Sequence, residues 1–398
     1  MFLAMVMALT ALGVDLILPA FDAVREEFGF ASDSTRPARL ITVYFLGMAL
    51  PQVVWGPLSD RFGRRPVLGA AFAVYAIGTI GSALAPSFGL MLVARLVWGI
   101  GAAGTRVTVV ATIRDMYEGE AMARFMSIMM GLFLLVPVFA PGIGELALLV
   151  VPWRGLFWLT LAMLVVVVVW AKRLPETLDP TNRLPLEWRS VSRAFRQVLT
   201  TPVTAAYTAA TVFMQMAFAS YLASSELVID SVFGRDQQFA VIFGAVAVGL
   251  AAASLAMSRV VTRVGGEQVI RVGFMASTAV STALFVIALV GGGSPEFWVF
   301  FPVLTMQMML HVALMPTLNA MALVPLGAIA GTAAAVTGAL RVALGGVGGA
   351  VIDSFVRDSV TPWAIGFLLG SVASLIAVLA VQTPRGDSTT SLAAEQGD

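Results

Sequence analysis

Along this chain, runs of roughly 20 mainly apolar residues alternate with short polar breaks, and each run is long enough to cross a bilayer as a helix. They fall at 2–23, 40–59, 67–86, 88–112, 125–148, 153–171, 204–225, 238–260, 271–291, 297–323, 329–351 and 361–382. The pattern predicts an all-α membrane protein with twelve transmembrane helices. The longest polar stretch, Lys172 to Pro202, divides them six and six. The expected organisation is an N-terminal six-helix half at 1–171, a cytoplasmic linker at 172–203, a C-terminal six-helix half at 204–382, and a disordered polar tail at 383–398. In the linker, LEWRSVSRAFRQVL reads as an amphipathic helix with Leu186, Val191 and Phe195 on one side, expected on the membrane surface. A plain solvated connector is the alternative.

The two halves look related. Ser258 to Gly265 lies 202 residues after Gly56 to Gly63, so Arg263 falls on Arg61 and Gly265 on Gly63. The second copy has Thr262 where the first has Asp60, and it lacks the arginine pair. Matching loops in two halves are the mark of a transporter built by duplication.

Composition narrows the class. Hydrophobic residues make up 59% and charged residues 12%, against about 45–50% and ~25% in soluble domains. Net charge is +1, which offers no field for a nucleic-acid partner. Cys is absent and His311 is the only His, so disulfides, thiolate metal sites and a His-rich metal cluster are excluded. No phosphate-binding loop ending in Lys-Ser/Thr occurs, so no ATP-driven step, cofactor or metal is expected. Paired catalytic carboxylates are also missing, and the chain reads as a non-enzyme. Met1 opens directly on the first apolar run without a basic flank, and Asp15 interrupts that run. This predicts a retained first helix with a few residues expected upstream.

Basic residues set the orientation. With the N-terminus in the cytoplasm, fifteen Lys and Arg fall in cytoplasmic loops and the tail, and six on the opposite face. The positive-inside rule favours that arrangement, with both termini cytoplasmic.

The densest charge lies in GPLSDRFGRRPVL, Gly56 to Leu68, between the second and third runs. A lone Arg or Asp costs at least ~2.5–3.5 kcal/mol in hydrocarbon, so this stretch is a short loop at a membrane face. Gly56 and Gly63 allow helix ends to approach, Asp60 can pair with an arginine, and Arg61, Arg64 and Arg65 can bridge helix ends. Contacts of this kind would break as two halves rock, so Asp60, Arg61 and Arg65 are candidates for a latch. A topogenic basic loop without switching is the plainer reading. The stretch resembles the loop between segments two and three of the major facilitator superfamily. LVARLVWGIGAAG, Leu92 to Gly104, resembles that superfamily's fourth-segment motif, with Arg95 inside the apolar run and Trp98 where the family often has Gln. GVDLILPAF, Gly13 to Phe21, resembles the first helix of the drug:proton antiporter branch. In the fifth run, Pro137 and Pro141 are expected to kink a helix whose Gly-Pro motif is matched in part. ATIRDM (111–116), PWRGLFWL (152–159), LPETL (174–178) and LVPLGAIAGTAAAVTG (323–338) are similar to the Bcr/CflA-type multidrug efflux branch.

The resemblance implies a twelve-helix major facilitator fold in the inner (plasma) membrane, exporting amphiphilic drugs or related small molecules against inward proton flow. A monomer is expected, with protons, a small-molecule substrate and the bilayer as its partners. Asp15 is the candidate proton carrier, since a carboxyl desolvated in an apolar run holds its proton near neutral pH. A structural acid locked to an arginine or an amide is the alternative. Depth arithmetic at ~1.5 Å per residue brings Asp15, Arg95 and Arg341 within about 18–20 Å of the cytoplasmic face, near the middle of a ~30 Å core. All three are expected in one cavity, with Tyr44, Gln52 and Trp55 on the second helix and Met214, Gln215 and Phe218 on the seventh. Glu226 falls nearer the outer face. A competing reading is an exporter of one metabolite, such as an amino acid, sugar or organic anion, which Arg95 and Arg341 would favour.

Overall fold

A computed structural model of the chain describes residues 2–49, 51–117, 136–179, 181, 183 and 188–381. Its elements are helices, and they begin and end where proline and glycine dictate. The first run is broken: α1 (Phe2–Asp15) stops before a single 3-10 turn at Leu18–Ala20, and α2 (Phe21–Glu27) resumes beyond it. Pro19 has no N–H to continue the ladder, so the continuous helix expected over 2–23 gives way at that point. The run 40–59 is likewise two helices, α3 (Arg39–Ala49) and α4 (Gln52–Phe62), bent by 42° beside Pro51.

The remaining elements follow in order: α5 (Arg64–Leu84), α6 (Phe88–Met116), α7 (Val136–Leu148), α8 (Gly155–Ala171), α9 (Trp188–Thr200), α10 (Pro202–Ser231), α11 (Phe239–Val264), α12 (Gly266–Val290), α13 (Phe297–Leu323), α14 (Ala330–Asp353) and α15 (Thr361–Leu379). Among the described residues, nine helices are long and apolar enough to cross a membrane, or ten with the α3–α4 pair taken as one span. The shorter apolar helices α7 and α8 complete twelve apolar runs. The first part of the run expected at 125–148 lies outside the described residues.

Glycine lets the helices before the linker meet at backbone distance. A Cβ added at Gly101 would lie 2.3 Å from Tyr75 N, and one at Gly99 would lie 2.2 Å from Tyr44 O. So α6 is clamped between α5 and α3 through the glycines of the Leu92–Gly104 motif. On the far side of the linker α10 packs against α14, and α14 also packs against α3 and α4.

The duplication is visible in the backbone. Gly63 (φ +100°) ends α4 and opens α5, and Gly265 (φ +88°) does the same between α11 and α12. Only glycine adopts such angles without strain, so each α-turn-α corner depends on its glycine.

The linker helix departs from expectation. α9 starts at Trp188, and its buried positions are Ala194 and Val198, packed with Leu326, Ala333 and Val336. Phe195 points outward and is 44% exposed. The inner face of α9 is thus set by small residues fitting α14, not by the larger apolar ones; Leu186 lies outside the described residues, as does the tail.

Candidate functional site

One cavity of about 210 Å³ opens between α1, α3, α6 and α7 on one side and α10, α11, α13 and α14 on the other. Its wall is mostly apolar and aromatic, with Phe45, Met48, Phe218, Tyr221 and Phe243 among its members. Three charged side chains interrupt that wall: Asp15, Arg106 and Arg341. Asp15 is the last residue of α1, so the Pro19 break places its carboxyl at the bend of the first span. Arg341 donates from Nη1 to Gln215 Oε1 at 2.9 Å. That contact needs Gly345, where a Cβ would lie 2.4 Å from Gln215 Cγ. His311 stacks on Phe218 with ring centroids 4.9 Å apart.

Of the residues expected in the cavity, Asp15, Gln215, Phe218 and Arg341 line it, and so does Pro137. Arg95, Tyr44, Gln52, Trp55 and Met214 do not. Arg95 is fully buried behind the wall; its Nε donates to Leu40 O at 3.2 Å, and its guanidinium lies 4.8 Å from the Trp98 ring and 5.2 Å from the Tyr44 ring. A long side chain on a glycine-packed helix has room only along its neighbours, which turns it away from the cavity. Tyr44 is tied to α1 through Tyr44 Oη donating to Thr10 O at 2.8 Å. Gln52 Nε2 donates to Met48 O, Trp55 Nε1 to Ile100 O, and Met214 packs with Tyr207 and Leu314. Pro141 is buried outside the wall.

The Gly56–Leu68 loop is organised around Arg64, one of the three arginines expected to bridge helix ends, and not around the Arg61 and Arg65 expected to form the latch with Asp60. Arg64 is bonded to Asp60 (2.6 Å), Asp115 (2.6 Å) and Ser59 (3.0 Å). Arg61 lies over the Phe62 ring, and Arg65 reaches only the carbonyl of Lys172 at 3.3 Å. Arg64 holds its place because Gly63 turns the chain back, aiming the first side chain of α5 at the end of α6. Glu176 closes the same corner: Oε1 accepts from Arg64 N at 2.8 Å and Oε2 from Arg65 N at 3.1 Å, capping the start of α5. Burial raises the Glu176 carboxyl, but backbone donors at Leu178, Arg64, Arg65 and Thr177 outweigh it and leave it below its ordinary 4.5.

The opposite face carries a buried ion pair across the two groups of helices. Arg25 donates to both Glu226 oxygens, at 3.1 and 2.9 Å, to Asp22 at 2.5 Å and to Ser34 O at 3.1 Å. Glu226 is therefore consumed in a contact between α2 and α10. A further acid, Asp353 at the end of α14, is buried against Ser220 and Ser224, both of which donate to Oδ1. Asp15 is thus not the one acid deep in the helices, but it is the one that lines the cavity.

Arg106, Tyr221, Asp115, Glu176 and Asp353 are absent from the expected set. Arg106 had a signal, being a charge inside the apolar run 88–112. Asp115 and Glu176 sit in ATIRDM and LPETL, whose acids gain meaning only when the fold sets them beside Arg64.

Comparison with known proteins fits this architecture. A family model described as Major Facilitator Superfamily matches residues 3–350. A bicyclomycin resistance protein homolog of Haemophilus influenzae is 28% identical over 374 residues, 92% of this chain and 91% of its own. A chloramphenicol resistance protein of Pseudomonas aeruginosa is 27% identical over 400 residues, 98% of this chain and 92% of its own. Multidrug resistance protein MdtL of Escherichia coli is 32% identical over a shorter stretch of 157 residues, 39% of each chain. Among solved structures, a D-xylose–proton symporter superposes with a TM-score of 0.75 at 13% identity, covering 94% of this chain and 95% of its own. The human organic anion transporter does so with 0.72 at 18% identity, covering 96% and 98%. These two speak to fold alone. The fold is all-helical and multi-pass, the role is transport rather than catalysis, and the chain belongs to the Major Facilitator Superfamily.

Proposed function

We propose that the protein exports amphiphilic small molecules, antibiotics among them, across the plasma membrane in exchange for protons. The observation that carries this reading is the cavity: an apolar, aromatic wall with one carboxyl, Asp15, set between helices from both sides of the linker. An apolar wall built from Phe45, Phe218, Phe243, Tyr221 and Met48 suits varied ligands that share little beyond hydrophobic area. The names of the relatives, resistance to bicyclomycin and to chloramphenicol, support the same substrate range.

The halves are residues 1–171 and 204–382, joined by 172–203, and they rock about the cavity to expose it to each side in turn. Asp15 is the proton carrier. A basic group arriving beside it favours the carboxylate and expels the proton, so proton and substrate exclude each other. The Arg64 face is cytoplasmic, as are both termini, because fifteen basic residues fall on that side against six. The Arg64–Asp60–Asp115 network holds that face, and the Arg25–Glu226 pair holds the outer one. The protein acts as a monomer.

The test is uphill movement in liposomes. With an acid interior, chloramphenicol or a lipophilic cation such as ethidium should accumulate inside above equilibrium, and a protonophore should abolish the gain. Equilibration at the same level with and without the pH gradient would refute proton-driven export.

A further inference from the structure

The charges in the cavity do not cancel. Two guanidiniums and one carboxyl face the same apolar space, and none of the three forms an ion pair with a described residue. Arg341 is satisfied only by the neutral amide of Gln215. Arg106 makes no hydrogen bond or ion pair among the described residues, although it lies close enough to Arg341 for the two to repel. The sequence from 121 to 144, which covers the fifth apolar run up to Glu145, contains no acid that could serve it. Glu145 itself accepts from Ala240 N at 3.3 Å, away from the cavity wall. Asp15 likewise accepts no hydrogen bond from a described residue. Near the membrane faces, Arg25 pairs with Glu226 and Arg64 with Asp60 and Asp115, while the buried Asp353 is met by the hydroxyls of Ser220 and Ser224. Ionisable groups inside a membrane protein stay there when something supplies the opposite charge. Among the described residues, nothing in this cavity does.

We infer that the cavity is a seat for an amphiphilic zwitterion: the acidic group of the ligand sits between Arg106 and Arg341, its basic group sits at Asp15, and its apolar body lies against Phe45, Met48 and Phe218. The inference rests on the reading of this cavity as the transport site and narrows it to a substrate class. It also assigns separate tasks to the two ends. The arginines hold the acidic group whether or not Asp15 is protonated, because a guanidinium stays charged. The basic end alone competes with the proton: as the ligand's ammonium takes its place beside Asp15, the carboxyl releases its proton and the carboxylate remains as counter-ion. A neutral or singly charged amphiphile would use the same wall with one or both ends unmet.

The matched probes are 4-(4-aminomethylphenyl)butanoate, its carboxamide, which keeps only the positive end, and its N-acetyl derivative, which keeps only the negative end. Binding to the purified protein in nanodiscs is measured for each by calorimetry. The zwitterion should bind at least tenfold tighter than either relative. Arg106→Gln and Arg341→Gln should weaken the zwitterion and the N-acetyl compound tenfold or more and leave the carboxamide unchanged, which also shows that the variants are folded. A carboxamide that binds as tightly as the zwitterion, with affinities indifferent to both arginine substitutions, would overturn the inference while leaving this cavity as the transport site. If no probe binds, and Phe218→Ala and Met48→Ala leave export of chloramphenicol or ethidium unchanged, the cavity is not the transport site and both readings fall.

Discussion

Two sets of buried charged groups contrast in this protein, with Arg95 and Asp353 outside both, held by a carbonyl and by two serine hydroxyls. At the two faces, Arg64 and Arg25 are buried and paired with carboxylates on other helices. In the cavity, Asp15, Arg106 and Arg341 sit within one apolar wall and pair with no charge among the described residues. The same residue types have opposite fates because of what the backbone brings beside them. At Gly63 a φ of +100° folds the start of α5 back toward the end of α6, so Arg64 meets Asp115. At Asp15 the helix simply stops, and the carboxyl faces open space. On the proposed reading, the paired charges at the faces hold the protein in a state and the unpaired ones in the cavity meet a ligand.

The largest effect on the paired population should come from the Arg25 face. Breaking a buried pair by removing one partner costs about 3–5 kcal/mol. Glu226→Gln should weaken the state in which α2 and α10 meet by that order. Because the chain has no Cys, a single cysteine placed beside Ser34 can report it: labelling there should accelerate strongly in Glu226→Gln and less in the double variant Arg25→Met/Glu226→Leu. Equal labelling in wild type and Glu226→Gln would mean the pair has no part in closure.

Next in size is the Arg64 face. Arg64→Gln removes two charge-assisted contacts, each worth about 1.5–3 kcal/mol, and should slow turnover tenfold or more with substrate affinity unchanged. Arg65→Ala, which loses only a bond to a carbonyl, should change turnover less than threefold. The reverse order would return the latch to Arg65, where the sequence alone placed it.

That reversal shows what the sequence carried. The apolar runs and the duplicated glycine corner are written in periodicity and spacing, and the described residues carry a helix in each run and a positive-φ glycine at both corners. The breaks at Pro19 and Pro51 were not read, since 2–23 and 40–59 were expected as continuous helices, although proline cannot continue the hydrogen-bond ladder. Which arginine faces what was not legible. Arg95 and Arg106 occupy one apolar helix, 11 residues apart, yet only the second reaches the cavity, because Tyr44 and Trp98 enclose the first. Depth along a helix can be counted from sequence. Direction around it depends on neighbours that the count does not contain. Asp15 was found because its surroundings are the bilayer-spanning run itself; Glu176 was missed because its partners are the backbone amides of a corner 111 residues away.

A smaller effect is expected with pH at that corner. Glu176 is held below its ordinary value of 4.5. A carboxyl lowered by folding contributes stability that is full above the ordinary value and is lost as pH falls through the folded one. The Arg64 face should therefore loosen only below about pH 4.5. Glu176→Gln should remove that acid transition in labelling of a cysteine at Thr177 and leave the neutral-pH rate nearly unchanged. A transition that persists in the variant would rule out Glu176 as its source.

The smallest effect belongs to the second copy of the corner. Arg271 and Glu267 pair at 3.2 Å on an exposed helix face, and such pairs are worth roughly 0.3–0.5 kcal/mol. Arg271→Gln should leave both melting temperature and transport within error of wild type. A loss comparable to Arg64→Gln would mean that the two corners share the latch equally.

The central claim is that the unpaired acid, and not the paired ones, exchanges its proton for substrate. It is tested by proton release from purified, weakly buffered protein on addition of 4-(4-aminomethylphenyl)butanamide, whose single charge is positive. Wild type should release protons. Asp15→Asn should release none while remaining folded, and Glu226→Gln and Asp353→Asn should release as wild type does. Wild-type release from Asp15→Asn, or its disappearance in Glu226→Gln or Asp353→Asn alone, would contradict the account.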